Sequence, residues 1–292
     1  MFNKILFPTD FSAYAEKTLE YLAGFKDIGA EHVVLVHTVQ EAEEYPVTMA
    51  RQERMAAALK EKEEWLRTQG LEASSLVPIG TPYREILKAA RTEEVDLIVI
   101  GSQGKGLLDE VLLGSVSDRV AREATMPVLV VKHKVLQDAT GVKVEKRSAE
   151  SFQKILYPTD GSPCAQSALE YIKGMSLPFC GQVIMANIID PKTVATGKIE
   201  AAKAEMLAKL KTSAKAMEGT CIHVTTDVRV GVPLEELLKI GKEEKVTLIV
   251  MGSTGKGFFQ EMLIGSLSEN MIRKARCPVL IIHDEICAIP VD

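Results

Sequence analysis

The sequence is poor in features that mark several classes of protein. Aromatic residues make up 5% of its 292 residues, with one tryptophan, and the formal net charge is −5. The basic excess that accompanies DNA or RNA binding is therefore absent, and we expect no nucleic-acid partner. A small anion held by backbone amides is not excluded, because such a site needs no net positive charge.

Cysteines and long apolar runs are also scarce. The five cysteines all lie in the second half, and no two are spaced as C-x-x-C, so we expect neither a disulfide framework nor a zinc site. Apolar runs are far shorter than the ~20 residues that cross a bilayer, and the N-terminus lacks the pattern of a signal peptide. We therefore expect a soluble, cytoplasmic protein with no membrane partner.

What the sequence does contain is an internal repeat. The segment Lys4–Ser12 (KILFPTDFS) returns as Lys154–Ser162 (KILYPTDGS), and glycine-rich segments that begin at Gly101 and Gly252 also correspond. Several matches in the same order indicate a tandem duplication. The predicted organisation is a first domain, a linker and a second domain, over residues 1–140, 141–149 and 150–292.

Each copy alternates between strands and helices. In the first copy, apolar runs and helical spacing predict five strands and four helices. The strands are predicted over 5–7, 33–36, 76–79, 97–100 and 128–131, and the helices over 12–22, 48–68, 82–94 and after Gly114. Apolar strands in alternation with helices indicate a parallel sheet covered on both faces. The predicted fold class is α/β, with two tandem doubly wound, five-stranded parallel-sheet domains.

The loop after the fourth strand of each copy carries the motif with the clearest chemical meaning. It reads Gly, two residues, Gly, nine residues and Gly-Ser, at Gly101, Gly104, Gly114 and Ser115 and again at Gly252, Gly255, Gly265 and Ser266. Glycines let backbone amides approach a ligand, and a helix N-terminus attracts an anion. Serine hydroxyls at Ser115, Ser117, Ser266 and Ser268 add donors. The motif predicts a phosphate site in each half.

Two better-known phosphate loops are excluded. The motif lacks the G-x-x-x-x-G-K-[ST] pattern of P-loop ATPases and the third glycine of the dinucleotide fingerprint. Other readings stay open from the residues alone. Ser115-x-x-Asp118 and its repeat are also compatible with capping boxes, and Asp10 and Asp160 are also compatible with helix caps.

Taken together, the segments resemble the universal stress protein family in its ATP-binding type. The residues that carry the resemblance are Pro8-Thr9-Asp10 and Pro158-Thr159-Asp160 with the two glycine motifs, and it covers essentially both halves. It implies a Rossmann-like, adenine nucleotide alpha hydrolase-like fold. It also implies an intramolecular pseudo-dimer of the two domains through their last strands, and a homodimer of chains.

The resemblance further implies an adenine nucleotide, ATP or AMP, with Mg²⁺ or Mn²⁺ held through its phosphates rather than by protein ligands. Base and ribose would contact the ends of the first two strands, at Pro8, Thr9, Asp10, Thr38 and Val39 and at Pro158, Thr159, Asp160, Ile188 and Ile189. The phosphates would contact Gly101, Ser102, Gly104, Lys105, Gly114, Ser115, Val116 and Ser117, and Gly252, Ser253, Gly255, Lys256, Gly265, Ser266, Leu267 and Ser268. Lys105 and Lys256 could equally be solvated loop residues.

The sequence favours a binding module over an enzyme. Hydrolysis at the γ-phosphate of ATP calls for a positioned base and a charge-stabilising arginine, yet no histidine or arginine recurs at the loops, and His37 corresponds to Asn187. We expect no catalytic residue, at most slow ATP hydrolysis, and the regulatory stress role that the resemblance implies. An ATPase or adenylate-handling enzyme with Asp10 or Asp160 as its base, and a scaffold with AMP as a structural ligand, stay open.

Overall fold

A computed structural model describes residues 2–41, 45–102, 113–132, 152–175, 181–217, 222–255 and 264–283. The chain divides into two compact units, Met1–Ala149 and Glu150–Asp292. Strands and helices alternate along both units, which confirms the predicted tandem α/β architecture. No helix in the described part of the chain combines the length and apolar character that a membrane span requires.

The first unit contains five strands, four α-helices and a short 3-10 helix over Gly24–Ile28. In chain order they are β1 Lys4–Pro8, α1 Ala13–Ala23, β2 His32–Val36, α2 Tyr45–Thr68, β3 Glu72–Leu76, α3 Pro82–Thr92, β4 Leu97–Gly101, α4 Ser115–Glu123 and β5 Val128–Val131.

The second unit repeats this order, with its short 3-10 helix over Thr196–Lys198. Its elements are β6 Lys154–Pro158, α5 Pro163–Gly174, β7 Gln182–Ile189, α6 Ile199–Lys215, β8 His223–Val230, α7 Pro233–Glu243, β9 Leu248–Gly252, α8 Ser266–Lys274 and β10 Val279–Ile282.

The strand order is β3-β2-β1-β4-β5 in the first unit and β8-β7-β6-β9-β10 in the second, and all of these neighbours are parallel. The chain builds outward from β1 to β3 and then crosses to the other side of β1 for β4. Strand order therefore reverses between β1 and β4, and between β6 and β9. In doubly wound sheets, ligands bind outside the carboxyl ends of the strands at such a reversal.

The central strands form the core of each unit. Ile5, Leu6, Val33 and Val34 have no exposed surface, and Ile155 and its neighbours in β6 are similarly buried. Helices cover both faces of a parallel sheet, so its central strands are apolar at consecutive positions rather than at alternate ones.

The third strand lies elsewhere than predicted. The apolar run 76–79 was expected to form it, but β3 covers Glu72–Leu76 and pairs with β2 from His32↔Glu72 onward. Helix α2 ends near Gly70, whose φ of +83° turns the chain directly into the strand. An edge strand has one neighbour and needs fewer apolar residues. The run itself contributes a single parallel bridge, Val39↔Ile79.

The two cysteines in the described part of the chain differ in state. Cys164 is buried, as expected of a small apolar residue, but it is disulfide-bonded. Cys277 is a half-buried free thiol. One bonded cysteine is not a framework, so the expectation of no disulfide framework stays a prediction.

Candidate functional site

The turn after β1 is held by hydrogen bonds of its own. Thr9 N–H donates to Val36 O at 2.9 Å, which keeps the chain beside β2 for one more residue. Thr9 Oγ1 accepts Phe11 N–H at 3.1 Å, and Asp10 Oδ1 accepts Ser12 N–H at 2.9 Å. Side-chain oxygens that accept an amide two residues on stabilise tight turns. Asp10 is therefore held in place at the carboxyl end of β1.

The turn after β6 has the same bonds. Thr159 N–H donates to Ala186 O at 2.9 Å. Thr159 Oγ1 accepts Gly161 N–H at 3.2 Å, and Asp160 Oδ1 accepts Ser162 N–H at 2.9 Å. The two halves thus place an aspartate at the same point of the fold through the same backbone geometry.

The caps of the helices that follow are serines rather than aspartates. Ser12 and Ser162 are the N-cap residues of α1 and α5, and the Oγ of each accepts the amide three residues on, at 3.2 and 3.3 Å. The alternative in which Asp10 and Asp160 cap these helices is therefore wrong. Each aspartate instead orients the cap residue from outside the helix.

A side chain from the end of the second strand supports each turn. His37 Nδ1 donates to Thr9 O at 2.8 Å, and Asn187 Nδ2 donates to Thr159 O at 2.7 Å. A carbonyl oxygen can only accept, so Nδ1 of His37 carries a hydrogen. An imidazole and an amide therefore make the same bond in the two halves.

Thr38 lies where β1 has turned away from β2. On either side of it, His37 N–H donates to Leu76 O at 3.1 Å and Val39 N–H donates to Pro78 O at 2.9 Å. Along a strand, the backbone N–H and C=O groups of successive residues point toward opposite neighbouring strands, so those of Thr38 face the side that β1 has left. Within the described ranges, no hydrogen bond reaches these two groups or the buried Thr38 Oγ1. Buried polar groups are usually paired, so Thr38 offers open positions for a ligand.

The next residue along, Val39 in the first half and Ile189 in the second, directs its backbone carbonyl toward the segment after the third strand of its own half. Val39 O accepts Gly80 N–H at 3.0 Å, and Ile189 O accepts Gly231 N–H at 3.0 Å. Backbone contact with a base at this point is therefore expected from Thr38 and its counterpart Ile188. Val39 and Ile189 could contribute only through their side chains.

The helices that begin at the end of the phosphate motif have no side-chain caps. Gly114 is the N-cap of α4 and Gly265 is the N-cap of α8, and neither cap is satisfied by a side chain. The first three amides of these helices, 115–117 and 266–268, have no acceptor among the residues that the structure describes. Such amides carry the positive end of the helix dipole and attract anions.

The capping-box alternative is wrong in both halves. Ser115 and Ser266 are the first helical residues rather than the caps. The acidic residues three positions later pair with the arginine one turn further on, at 2.9 Å for Asp118 and 3.2 Å for Glu269. These helix N-termini are therefore not closed by their own side chains.

Two of the serines whose hydroxyls were predicted to donate to phosphate donate instead to carbonyl groups of their own domain. Ser117 Oγ donates to Gly101 O at 2.7 Å, and Ser268 Oγ donates to Gly252 O at 2.9 Å. Each bond ties the helix to the end of the strand before the loop. Contact of Ser117 and Ser268 with phosphate would accordingly use their backbone amides.

Ser102 and Ser253 close the loop onto its own domain. Ser102 N–H donates to Val131 O at 2.9 Å, and Ser102 O accepts Gly114 N–H at 3.0 Å. Ser253 makes the two equivalent bonds, at 3.0 and 2.7 Å. These bonds bring the two ends of the loop together, so the N-terminus of the following helix lies at the end of the fourth strand.

The three glycines of the second motif have different roles. A Cβ on Gly252 would lie 2.8 Å from the carbonyl oxygen of Cys164 in α5, so packing inside the domain requires this glycine. A Cβ on Gly255 would lie 2.7 Å from Asp160 Oδ2. The loop therefore approaches the carboxylate of the β6 turn closely, and the fold brings these two predicted segments together.

Gly265 is the glycine that the fold itself does not require. Its φ is −71°, in the region open to every residue. The nearest atom to an added Cβ would be a backbone oxygen at 3.4 Å, an ordinary contact. The reason for glycine at this position is therefore sought outside the domain, in a ligand that approaches the amides beside it.

Part of the predicted site lies outside the described residues. Gly104, Lys105 and Lys256 belong to this part, and their predicted roles stay predictions. Pro8 and Pro158 end strands β1 and β6, next to the turns. Within the described ranges, no group of three or more histidine, cysteine, aspartate or glutamate residues could hold a metal ion.

Tyr157 supports the second site and was missed by the sequence analysis. Its hydroxyl donates to Ala165 O at 2.6 Å and lies 3.1 Å from Thr159 Oγ1, so it braces the turn against α5. Burial raises the pKa of Tyr157 to about 12. The available signal was the difference between the copies, because Phe7 occupies the same place in the first repeat.

Fold and site together define a class of protein. Both halves are doubly wound α/β domains with an open helix N-terminus and a fixed aspartate at the point where strand order reverses, which is the arrangement of small-molecule anion sites in such sheets. The family model described as "Universal stress protein family" matches residues 1–132 and 151–283. The chain belongs to the universal stress protein family.

Individual relatives resemble either one half or the whole chain. Universal stress protein MJ0577 of Methanocaldococcus jannaschii is 35% identical over 46% of this chain and 97% of its own length. Universal stress protein Slr1230 of Synechocystis is 22% identical over 95% of this chain and 88% of its own length. The crystal structure of a universal stress protein from Archaeoglobus fulgidus matches with a TM-score of 0.75 and 28% identity, covering 97% of this chain and 98% of that one.

Proposed function

We propose that each half of this chain binds one adenine nucleotide in the crevice at its strand-order reversal. The observation that carries the proposal is the pair of uncapped helix N-termini. The amides of 115–117 and of 266–268 are open in the described part of the chain. In the second half they directly follow Gly265, which the fold itself does not require. Three converging backbone donors on a helix dipole suit a phosphate group.

The other end of the crevice suits a base. The unpaired N–H and C=O of Thr38 face the same side of the strand, so they can pair with one acceptor and one donor at the edge of a ligand. The Watson–Crick edge of adenine offers this pair at N1 and N6. Asp10 and Asp160, fixed between the two ends, are placed to accept from ribose hydroxyl groups. Membership of the family supports the same ligand.

A divalent cation would bind through the phosphates. The described residues supply no cluster of ligands for it, and Mg²⁺ commonly keeps several waters while it bridges phosphate oxygens. The protein's part in holding such an ion would be to fix the phosphates on the helix amides. A regulatory role in stress, with nucleotide as the signal and two chains in a homodimer, is the biological setting that we propose.

Calorimetric titration of nucleotide-free protein with ATP, ADP and AMP in the presence of Mg²⁺ tests the proposal. We expect about two nucleotides per chain, and about one after Gly114→Val or Gly265→Val, because a branched side chain beside the helix amides keeps the phosphate away. Gly265→Ala is the matched control for folding, since its added carbon makes only ordinary contacts. Absence of binding by all three nucleotides contradicts the proposal.

Turnover separates a binding module from an enzyme. We expect at most slow release of phosphate from ATP, because each aspartate at the site already accepts a backbone amide and orients a turn. Steady-state hydrolysis that is fast in the wild type and lost in Asp10→Asn with Asp160→Asn would instead establish an enzyme. Slow release that is unchanged in this double variant supports the regulatory reading.

A further inference from the structure

The two candidate sites differ in a cluster of side chains at one place. In the first half, the ring of Phe11 lies 4.8 Å from the ring of His37, centroid to centroid, and Lys62 Nζ lies 5.5 Å from the centre of the Phe11 ring. Lys62 also donates to Glu16 Oε1 at 2.6 Å. Elements α1 and α2 and the ends of β1 and β2 thus each contribute one member of this aromatic and charged cluster.

The second half differs from this cluster at three corresponding positions. Gly161 replaces the phenylalanine, Asn187 replaces the histidine and Gln166 replaces the glutamate. The hydrogen bonds of the turn are nevertheless the same in both halves. At these positions the two halves therefore differ in their side chains and share the backbone conformation of the turn.

The backbone at Phe11 shows that the ring is held there at a cost. Its φ is +56°, in the left-handed region, and Gly161 occupies the same region with a φ of +76°. Glycine adopts this conformation freely, whereas a residue with a Cβ pays about 1 kcal/mol or more. The first half thus carries a strained phenylalanine where its repeat shows that glycine suffices for the turn.

The two stacked rings belong to residues next in the chain to the segments proposed to hold base and ribose. Phe11 directly follows Asp10, and its stacking partner His37 directly precedes Thr38. Through Nδ1, His37 is also bonded to the carbonyl of Thr9. The charged group over the ring is Lys62 from α2, with its partner Glu16 from α1.

We propose that Phe11, His37 and Lys62 form a side wall of the first site, so that the first half binds nucleotide more tightly and releases it more slowly than the second. This inference rests on the proposed function. The wall adds an aromatic face beside the ligand and shields the ligand from water on that side, while Lys62, paired with Glu16, holds the ring in place. The second site, with a glycine and an amide there, is open.

The experiment measures each site alone. Gly265→Val leaves the first site and Gly114→Val leaves the second, and calorimetry with ATP and Mg²⁺ then gives one Kd for each. We expect the first site to bind about tenfold more tightly. Displacement of a fluorescent ATP analogue in a stopped-flow instrument is expected to show the same ratio in the dissociation rate.

Exchange of Phe11 tests whether the wall causes the difference in Kd between the two sites. In the Gly265→Val background, Phe11→Gly is expected to raise Kd to the value of the second site without loss of folding, since Gly161 shows that glycine fits this turn. In the Gly114→Val background, Gly161→Phe with Asn187→His is expected to lower Kd.

Two results would count against the wall in different ways. Equal Kd values in the two single-site backgrounds, or no effect of Phe11→Gly, overturn the wall while nucleotide binding stands. Absence of binding in both backgrounds removes the proposed function, and the wall with it.

Discussion

In the first half of the chain an imidazole donates to the carbonyl of Thr9, whereas in the second half an amide donates to the carbonyl of Thr159. The turn itself, the serine cap and the uncapped helix that follows the loop are the same in both. The comparison shows that the backbone geometry of the site tolerates different side chains around it. What differs between the halves is the support of the turn and the wall above it.

The support of the turn differs in kind. In the second half, Tyr157 braces it with a hydroxyl that is buried against α5. In the first half, Phe7 fills the same place without a polar atom, and the ring of Phe11 packs on His37 instead. One half thus stabilises its turn from inside the domain and the other from the surface, and the predictions below test this contrast.

The largest effect is expected from the glycines of the second motif. Gly252→Ala places a carbon 2.8 Å from a backbone oxygen of α5, so we expect a loss of about 3 kcal/mol in the free energy of unfolding. Gly265→Ala is expected to change it by about 1 kcal/mol or less, through its effect on the N-cap. Urea denaturation of the full chain measures both. Equal losses would mean that the two glycines do not differ in role.

A smaller effect is expected from Tyr157→Phe, which gives the second turn the residue of the first. Loss of the hydroxyl removes its hydrogen bonds to Ala165 O and Thr159 Oγ1 and is expected to cost about 1 kcal/mol. Burial raises the pKa of Tyr157 to about 12 in the folded protein, against about 10 in the unfolded chain.

The sign of the pH dependence follows from these two pKa values. The neutral phenol is favoured by folding, so its contribution is complete below pH 10 and is lost as the pH rises from about 10 to 12. Urea denaturation across this range is expected to show the difference between wild type and variant shrinking. A difference that stays constant up to pH 12 would contradict the burial of an un-ionised hydroxyl.

The smallest effect is expected from His37→Asn, which gives the first turn the support of the second. The amide can make the same bond to the Thr9 carbonyl, so we expect a change of about 0.5 kcal/mol or less in the free energy of unfolding. His37→Ala, which leaves that carbonyl without its donor, is expected to cost about 1 kcal/mol. If the two variants were equally unstable in urea, the hydrogen bond would not be the feature that the halves share.

Much of the fold was predictable because its signals are local. Consecutive apolar residues mark strands covered on both faces, and prolines at Pro82, Pro163 and Pro233 mark the first turns of helices. The third strand was misplaced because an edge strand lacks this apolar signal. Its position depends on where α2 ends and on pairing with β2, which no local pattern contains.

The candidate site was predicted in outline but not in its hydrogen bonds. The motif indicated which residues gather at the strand ends, and the sheet order places these ends beside one another. The sequence could not show that Ser117 donates to Gly101 or that Gly252 is required by Cys164. Such assignments depend on contacts between residues that lie far apart in the chain.

The sequence by itself determined that the chain is a duplicated α/β protein with a glycine-rich helix start in each half, because repeats, periodicity and glycine spacing are local properties of the chain. The tertiary structure decided which donors stay open. The amides of 115–117 are free of side-chain caps and Thr38 is left unpaired in the described part of the chain, while the serine hydroxyls are used internally. The physical reason is that a donor or acceptor is available to a ligand only if no other group in the fold already pairs with it, and that depends on contacts between distant parts of the chain.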